Sequence, residues 1–382
     1  MTETLEIEVA GNLYKNFTSA EVMIGMDSLS RTFGFGATSD SPNPLPFFRG
    51  QPCTIKADNE LVLTGTIEII NVSGSAEEHT IDIQGRDRTG DLLDSSLGNI
   101  GDFSATVSLS TLAKAVLKHL GIDIKVIDTL DLDLFDKAED QITPDVGEGA
   151  FDYLQKWARK RSVLLASDPE GNLLFTQPEE ATDTTETVYI RHRADDIQNN
   201  VINYNATFDS TGRYNRYIVT SQGNPVLFNK AGNRSNPTLT DQTGGAIEDK
   251  DVRRGRQLVL IAETAASVGE NTTRAEWEAN VRSVRGQTYS CTVRGYRNQN
   301  GDLWTPGELA FVDDVFAGIS AEMRINTVIF SMGPDGVLTQ LTLLKPNAYK
   351  LTLGEPKEQN VGVGFQIGGP LFIGPPAPLE EE

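Results

Sequence analysis

The segment IQGRDRTGDLLDSS, residues 83–96, lies where strand-like alternation gives way to helical periodicity, and it decides how the chain is organised. Gly85 and Gly90 have the outer spacing of a phosphate-binding loop, but Asp91 occupies the position of the phosphate-binding lysine. A carboxylate there would repel a phosphate, so we reject that interpretation. The segment instead predicts a strand that ends at Gly85 and a short turn whose two leucines pack inward. We expect it to connect two parts of the chain.

Three aspartates in the same segment suggest a metal site as an alternative. Asp87, Asp91 and Asp94 would share one face of a helical turn. Hard cations prefer several oxygen ligands, but the segment lacks the alternating ligand pattern of a calcium loop. We therefore predict aspartates that are solvated or paired with arginine, and no metal site.

Strand signals fill the chain before this segment. Residues 5–9 alternate apolar and acidic side chains and lead into a Gly-Asn turn, and Val22, Ile24 and Met26 occupy alternate positions of a further strand. The segment SDSPNPLPFF carries three prolines and predicts a loop. Several short strands without a long helix between them are typical of a sandwich or a barrel.

Helical signals follow the segment. Ser108 or Ser110 is expected to cap a helix that ends at Gly121, and a second helix is expected within residues 149–162. The second helix runs into a hairpin whose turn spans residues 168–172. This part of the chain predicts a small α/β unit.

Strands return after about residue 187 and continue to about residue 349, with a helix expected over residues 272–285. The last part, residues 351–382, is rich in glycine and proline. It cannot build a core alone, and we expect it to order on something else.

The chain of 382 residues carries 33 basic and 54 acidic side chains, a formal net charge of −21. Such a surface repels nucleic acid and anionic membranes. Its apolar runs are too short to span a bilayer, so membrane insertion is not expected. Two cysteines, Cys53 and Cys291, exclude a disulfide framework and a cysteine zinc site. Eight arginines lie between residues 253 and 297, which suggests that acidic and basic regions of different copies pair.

Sequence patterns for catalysis are weak. Asp131 and Asp133 would point the same way from a strand and form a carboxylate pair, but a half-buried strand with a charged outer face explains them as well. The three histidines lie far apart, and the serines lack a nucleophile elbow. We predict no catalytic, cofactor-binding or metal-binding residues.

Six segments in order give the chain a family resemblance. They are GRDRTGDLLDSS, GEGAFDYLQKWARKRSVLLASDPEGNLLFT, DSTGRYNRYIVTSQG, DKDVRRGRQLVLIAE, TRAEWEANVRSVRGQ and NQNGDLWTPGELAFVDD. Their order resembles the baseplate hub proteins of Mu-like contractile-tail bacteriophages, within the wider family of phage late-control and tail hub proteins. The resemblance covers about residues 5–349 and does not extend to the Gly/Pro-rich end.

The resemblance implies a β-rich α+β fold in which a small α/β domain, residues 98–180, separates two β-barrel-like domains. These would be residues 1–97 and residues 181–350, the latter with a helical insertion at about 253–286. The chain would form a ring-shaped homotrimer that adapts a sixfold tail tube to a threefold spike. DNA would pass through its channel, and acidic walls would not retain it.

The resemblance also implies the setting and partners. The hub would assemble in the cytoplasm of the host bacterium and reside in the virion baseplate. Its partners would be its own copies, the tail spike, the tail tube and other baseplate proteins, without a cofactor. The alternatives are the hub of a phage-derived injection particle, a carbohydrate-binding β-protein, and a cell-wall hydrolase that uses the Asp131/Asp133 region or Glu148.

The segregated charges predict a subunit interface. In a head-to-tail ring each contact is heterologous, so a basic patch of one copy meets an acidic patch of the next. Arginine suits such a contact because its planar fork binds a carboxylate through two hydrogen bonds. The predicted interface residues are Arg253, Arg254, Arg256, Asp87, Asp91 and Asp94.

Overall fold

The structure is a computed structural model of the full chain. It describes residues 3–15, 17–39, 46–75, 79–100, 106–130, 135–136, 142–161, 163–177, 188–193, 199–222, 241–243, 247–250, 252–261 and 268–346.

Strands dominate the described part of the chain. The first β region contains β1 (Leu5–Val9), β2 (Asn12–Tyr14), β3 (Ser19–Gly25), β4 (Thr32–Ser39), β5 (Pro52–Ala57), β6 (Glu60–Gly74) and β7 (His79–Asp87). The small α/β region contains α1 (Gly90–Asp94), β8 (Thr106–Val107), α2 (Leu109–Leu120), β9 (Val126–Ile127), β10 (Phe135–Asp136), α3 (Ala150–Lys160), β11 (Leu164–Ser167) and β12 (Leu173–Thr176).

The remaining elements follow the small region. They are β13 (Val188–His192), β14 (Val201–Phe208), β15 (Arg216–Gln222), β16 (Asp241–Thr243), β17 (Ile247–Glu248), β18 (Gln257–Ile261), α4 (Val268–Arg285), β19 (Gln287–Arg294), β20 (Leu309–Asp314), β21 (Ile319–Gly333) and β22 (Gly336–Leu344). The second β region is the set β13, β14 and β19–β22.

The two β regions share one 13-stranded sheet. Its main path runs β14-β19-β22-β21-β3-β4-β7-β6-β5-β1-β2, and β20 joins β13 to β21. The regions meet where β3 pairs antiparallel with β21, for example Val328 opposite Ile24. Buried side chains from both regions form one continuous core. The β-rich architecture was predicted, but within the described residues the sheet closes into no barrel.

Local sequence signals account for the small α/β region. The Ser108 side chain accepts a hydrogen bond from Thr111 N and caps α2, and Gly121 ends the helix at φ 70°. The predicted hairpin is β11–β12, and β12 also pairs in parallel with β9. A separate core, which includes Leu112 of α2 and Trp157 of α3, fixes the helices on this sheet.

Strands β15–β18 form a separate four-stranded sheet, and helix α4 packs against both this sheet and the large one. On one side it packs Ala275 and Ala279 against Tyr217 and other residues of β15 and β18. On the other side its C-terminal valines cluster with Leu344, with Met26, which directly follows β3, and with Leu164 of β11. The helix ends at Arg285 as predicted, but it begins at Val268, four residues before the predicted start at residue 272.

Candidate functional site

Asp87 lies in the connecting segment of residues 83–96 and is 3% exposed. Its Oδ1 accepts hydrogen bonds from Ser30 Oγ at 2.8 Å and from Thr89 N at 3.1 Å. Its Oδ2 accepts one from Arg31 N at 3.0 Å and another from Ser167 Oγ. The donors come from the turn before β4, from the connector itself and from β11. The carboxylate therefore joins the first β region to the small α/β region, and the predicted connector is confirmed.

The Arg31 side chain reinforces the same junction. Its Nη1 donates to Val62 O at 2.7 Å, and its Nη2 donates to Ser167 O at 2.7 Å. Burial lowers the pKa of the Arg31 guanidinium, and three neighbouring carboxylates, with Asp87 the strongest, oppose that shift. The junction thus contains a positive and a negative group that are both largely withdrawn from water.

Close strand packing explains Gly85. A Cβ at this position would lie 2.1 Å from Thr66 O and 2.6 Å from Cζ of Phe33, so a larger side chain cannot be accommodated. At Gly90 a Cβ would meet Cβ of Arg86 at 3.2 Å, a much milder approach. The strand ends at Asp87 rather than at Gly85, and only the first of the two following leucines is fully buried. The close packing of β7 against β6 and β4 therefore requires glycine at position 85.

The three aspartates of the segment occupy three different environments. Asp94 pairs with Arg86, which also forms a bidentate ion pair with Glu68 at 2.8 and 2.9 Å. The hydrogen bond from Arg86 lowers the pKa of Asp94. Asp91 is exposed, and Asp87 is buried. No group of three potential ligands for a metal ion occurs within the described residues.

The three arginines of the predicted interface lie in two different environments. Arg253 and Arg254 are exposed at a turn completed by Gly255 at φ 96°, and neither has a hydrogen bond or ion pair to another described residue. Arg256 instead donates to Ser210 O at 2.7 Å and to a second carbonyl of the same loop. Its side chain is therefore engaged within its own chain.

The burial of Asp87 among donors of its own chain contradicts its predicted place at a subunit surface. Arg256 is partly exposed and donates to its own loop, and its role at an interface stays a prediction. Asp94 remains at the surface with a partner already in place. The exposed residues without such partners are Arg253, Arg254 and Asp91, and their role at an interface stays a prediction.

A second set of contacts, which the sequence did not predict, links the two β regions. Tyr296 N donates to Glu3 Oε2 at 2.7 Å. Arg297 Nε donates to Asp58 Oδ2 at 2.7 Å, and its Nη2 lies 2.7 Å from Glu60 Oε1. The partners are more than 230 residues apart in the chain, so no local pattern could reveal them.

The candidates for catalysis gain no geometric support. Asp131 and Asp133 lie outside the described residues. Glu148 Oε2 accepts a hydrogen bond from Asp145 N at 3.0 Å in the turn before α3, which gives it a local structural role. Both cysteines are buried, and burial raises their pKa to about 12, so their thiols are poor nucleophiles at neutral pH. Among the described residues no helix is both long and apolar enough to cross a membrane.

Three family models match successive parts of the chain. Residues 4–87 match the N-terminal domain of Mu phage baseplate assembly protein GpP-like. Residues 89–177 match the second domain of the baseplate hub protein gp44-like family, and residues 267–352 match the fourth domain of Mu phage baseplate assembly protein GpP. The fold and these matches define a structural component of a phage tail baseplate.

Proteins that are similar to this one over almost the whole chain identify the family more closely. The chain is 23% identical over 376 residues to baseplate hub protein gp44 of Escherichia phage Mu, covering 97% of this chain and 94% of that protein. The 43 kDa tail protein of prophage MuSo2 from Shewanella oneidensis is 25% identical, with TM-score 0.74 and coverage of 91% and 99%. A tail protein from Neisseria meningitidis MC58 is 18% identical, with TM-score 0.75 and coverage of 91% and 98%.

The chain therefore belongs to the baseplate hub proteins of Mu-like phages, as its segment order predicted. It is a structural protein of the virion tail, and its homologues are hub proteins, not enzymes.

Proposed function

We propose that this protein is the central hub of the baseplate, a homotrimeric ring that adapts a sixfold tail tube to a threefold spike and forms a channel for DNA. Its partners in this proposal are its own copies, the spike, the tail tube and other baseplate proteins. The domain division 1–97, 98–180, 181–350 and 351–382 is part of the proposal.

The observation that carries this proposal is the pair of β regions within one sheet. Seven strands belong to the first region and six to the second, and the regions meet at β3 and β21. Three copies of such a chain present six β regions, which suits a ring that meets sixfold symmetry on one side and threefold symmetry on the other. The continuous core and the Glu3–Tyr296 contact support a fixed geometry between the two regions.

Charge supports the passage of DNA. The net charge of −21 disfavours binding of a polyanion, and a channel wall should release DNA rather than retain it. The exposed Arg253 and Arg254 then serve contacts between subunits, with Asp91 of the next copy as the acidic partner that we propose.

Light scattering of the purified full chain tests the ring. We expect a mass three times the 41.6 kDa of one subunit at micromolar concentration. Single-particle images of the same sample should show a threefold ring with a central opening. A persistent monomer, or a closed particle without an opening, would contradict the proposal.

A further inference from the structure

A cleft of about 380 Å³ between α3 and α4 concentrates positive charge. Asp209 and Glu278 supply its carboxylates, and Trp277 forms part of the wall. Four arginines line it: Arg159, Arg274, Arg282 and Arg285. This concentration is notable in a chain whose net charge is −21.

The carboxylates of the cleft are already engaged. Glu278 accepts a hydrogen bond from Arg274 Nη2 at 2.8 Å, and its other oxygen lies 3.4 Å from Arg282 Nε. Asp209 accepts hydrogen bonds from Thr211 N at 2.7 Å and Thr211 Oγ1 at 2.9 Å. These bonds lower the pKa of Asp209, which keeps it ionised and bound to its own loop.

The cleft therefore carries more positive than negative charge. Arg285 is exposed at the end of α4 and has no hydrogen bond or ion pair to another described residue. Arg282 shares Glu278 with Arg274, and its buried Nε contacts that carboxylate at 3.4 Å without forming a hydrogen bond. Arg274 stacks on Trp277, with its guanidinium 4.6 Å from the ring centroid. The cleft thus combines guanidinium donors with an apolar wall.

We propose that this cleft binds the carboxylates of an acidic segment from a second protein chain of the tail. Guanidinium forks match carboxylates in two hydrogen bonds, and the Trp277 wall suits the aliphatic part of a glutamate side chain. DNA is a poorer match, because nucleic-acid binding uses an extended basic surface, and the net charge of this chain repels a long polyanion.

The proposal rests on the proposed function, since a hub binds other tail components, but its test is independent of ring formation. A fluorescein-labelled tetraglutamate peptide is titrated with the full chain at low salt, and fluorescence anisotropy reports binding. Arg285→Glu should weaken binding by about tenfold or more, because it removes one charged donor and adds a repulsive carboxylate. Arg294→Glu is the matched control, since Arg294 is exposed on β19 outside the cleft.

Each outcome decides the proposal. Loss of binding in Arg285→Glu with retention in Arg294→Glu supports it, as does failure of a tetraglutamine peptide to bind. Equal loss in both variants, or no binding by the unmodified chain, overturns it. Tighter binding of a single-stranded oligonucleotide of the same charge would reassign the cleft to phosphate. If glutamine at positions 380–382 raises peptide affinity, the chain's own acidic segment is the occupant, and a second chain is not.

Discussion

Replacing Asp87 by asparagine should separate the first β region from the small α/β region more than it disturbs either core. Each carboxylate oxygen faces one backbone N–H, Oδ1 that of Thr89 and Oδ2 that of Arg31. An asparagine amide must place its NH₂ group against one of them in either orientation. A buried donor then loses its acceptor, and the buried Arg31 guanidinium loses its strongest neighbouring negative charge.

The expected cost follows from these two losses. One unsatisfied buried donor costs about 1–3 kcal/mol. The hydrogen bonds that remain also weaken, because a bond to a charged group contributes about 1.5–3 kcal/mol and a neutral one about 0.5–1.5 kcal/mol. We therefore expect Asp87→Asn to destabilise the junction by about 3 kcal/mol. Asp94→Asn is the matched control in the same segment, because its exposed ion pair with Arg86 contributes only about 0–1 kcal/mol.

Hydrogen exchange with mass spectrometry measures the effect locally. In Asp87→Asn, amides of β11 and of residues 29–31 should exchange roughly a hundredfold faster, since about 1.4 kcal/mol corresponds to a factor of ten. The urea midpoint should fall in the same variant, whereas Asp94→Asn should change little. If the two variants gave the same exchange and the same midpoint, the junction argument would fail. A loss of trimer mass without faster local exchange would instead return Asp87 to a subunit interface.

Three further predictions test other parts of the structure. Arg254→Glu should weaken the trimer, as measured by sedimentation, without lowering the midpoint of urea unfolding. Arg256→Glu should lower that midpoint, because it breaks contacts between Arg256 and its own loop. The reverse pattern would refute the proposed interface. Gly85→Ala should lower the free energy of unfolding by about 3 kcal/mol or more, because the added Cβ clashes with backbone atoms. Gly90→Ala should lower it by less than about 1 kcal/mol, and urea unfolding measures both. Equal effects would contradict the packing explanation. The two buried cysteines should resist a thiol reagent at pH 8 unless urea is present. Because burial raises their pKa from 9.0 to about 12, their protonated forms favour folding below pH 9, and that stability should be lost as pH rises toward 12; rapid native labelling would contradict this.

Local patterns predicted the parts of this fold that depend on near neighbours. The serine cap and glycine end of α2, and the turn between β11 and β12, follow from side chains within a few residues of each other. The pairing of β3 with β21 could not be predicted in this way, because about 300 residues separate the strands. Alternation of apolar and polar residues predicts that a segment forms a strand. It does not predict which of the other strands in the chain that strand pairs with.

The same distinction holds at the junction. The sequence identified the segment as a connector, since strand and helix patterns meet there. It did not identify Ser167 as a partner of Asp87, because a serine 80 residues away has no distinguishing pattern. Burial also could not be predicted from charge alone. An aspartate in a polar segment is expected at the surface unless its hydrogen-bond donors are known. For this reason the sequence placed Asp87 at an interface.

The arginines between residues 253 and 297 show how a basic region serves two purposes. Those with engaged side chains fix the geometry of the subunit: Arg256 binds a loop, Arg274 and Arg282 contact Glu278, and Arg297 binds Asp58 in the first β region. Buried or half-buried pairs of this kind define orientation more than they add stability, because desolvation offsets much of their attraction. The arginines that remain exposed without a described partner are Arg253, Arg254, Arg285 and Arg294. In a chain with 54 acidic residues, an exposed arginine that has no carboxylate partner among the described residues is positioned to meet one on another subunit. We therefore expect assembly contacts at Arg253, Arg254 and Arg285, and charge reversal at these three positions should affect association before it affects folding.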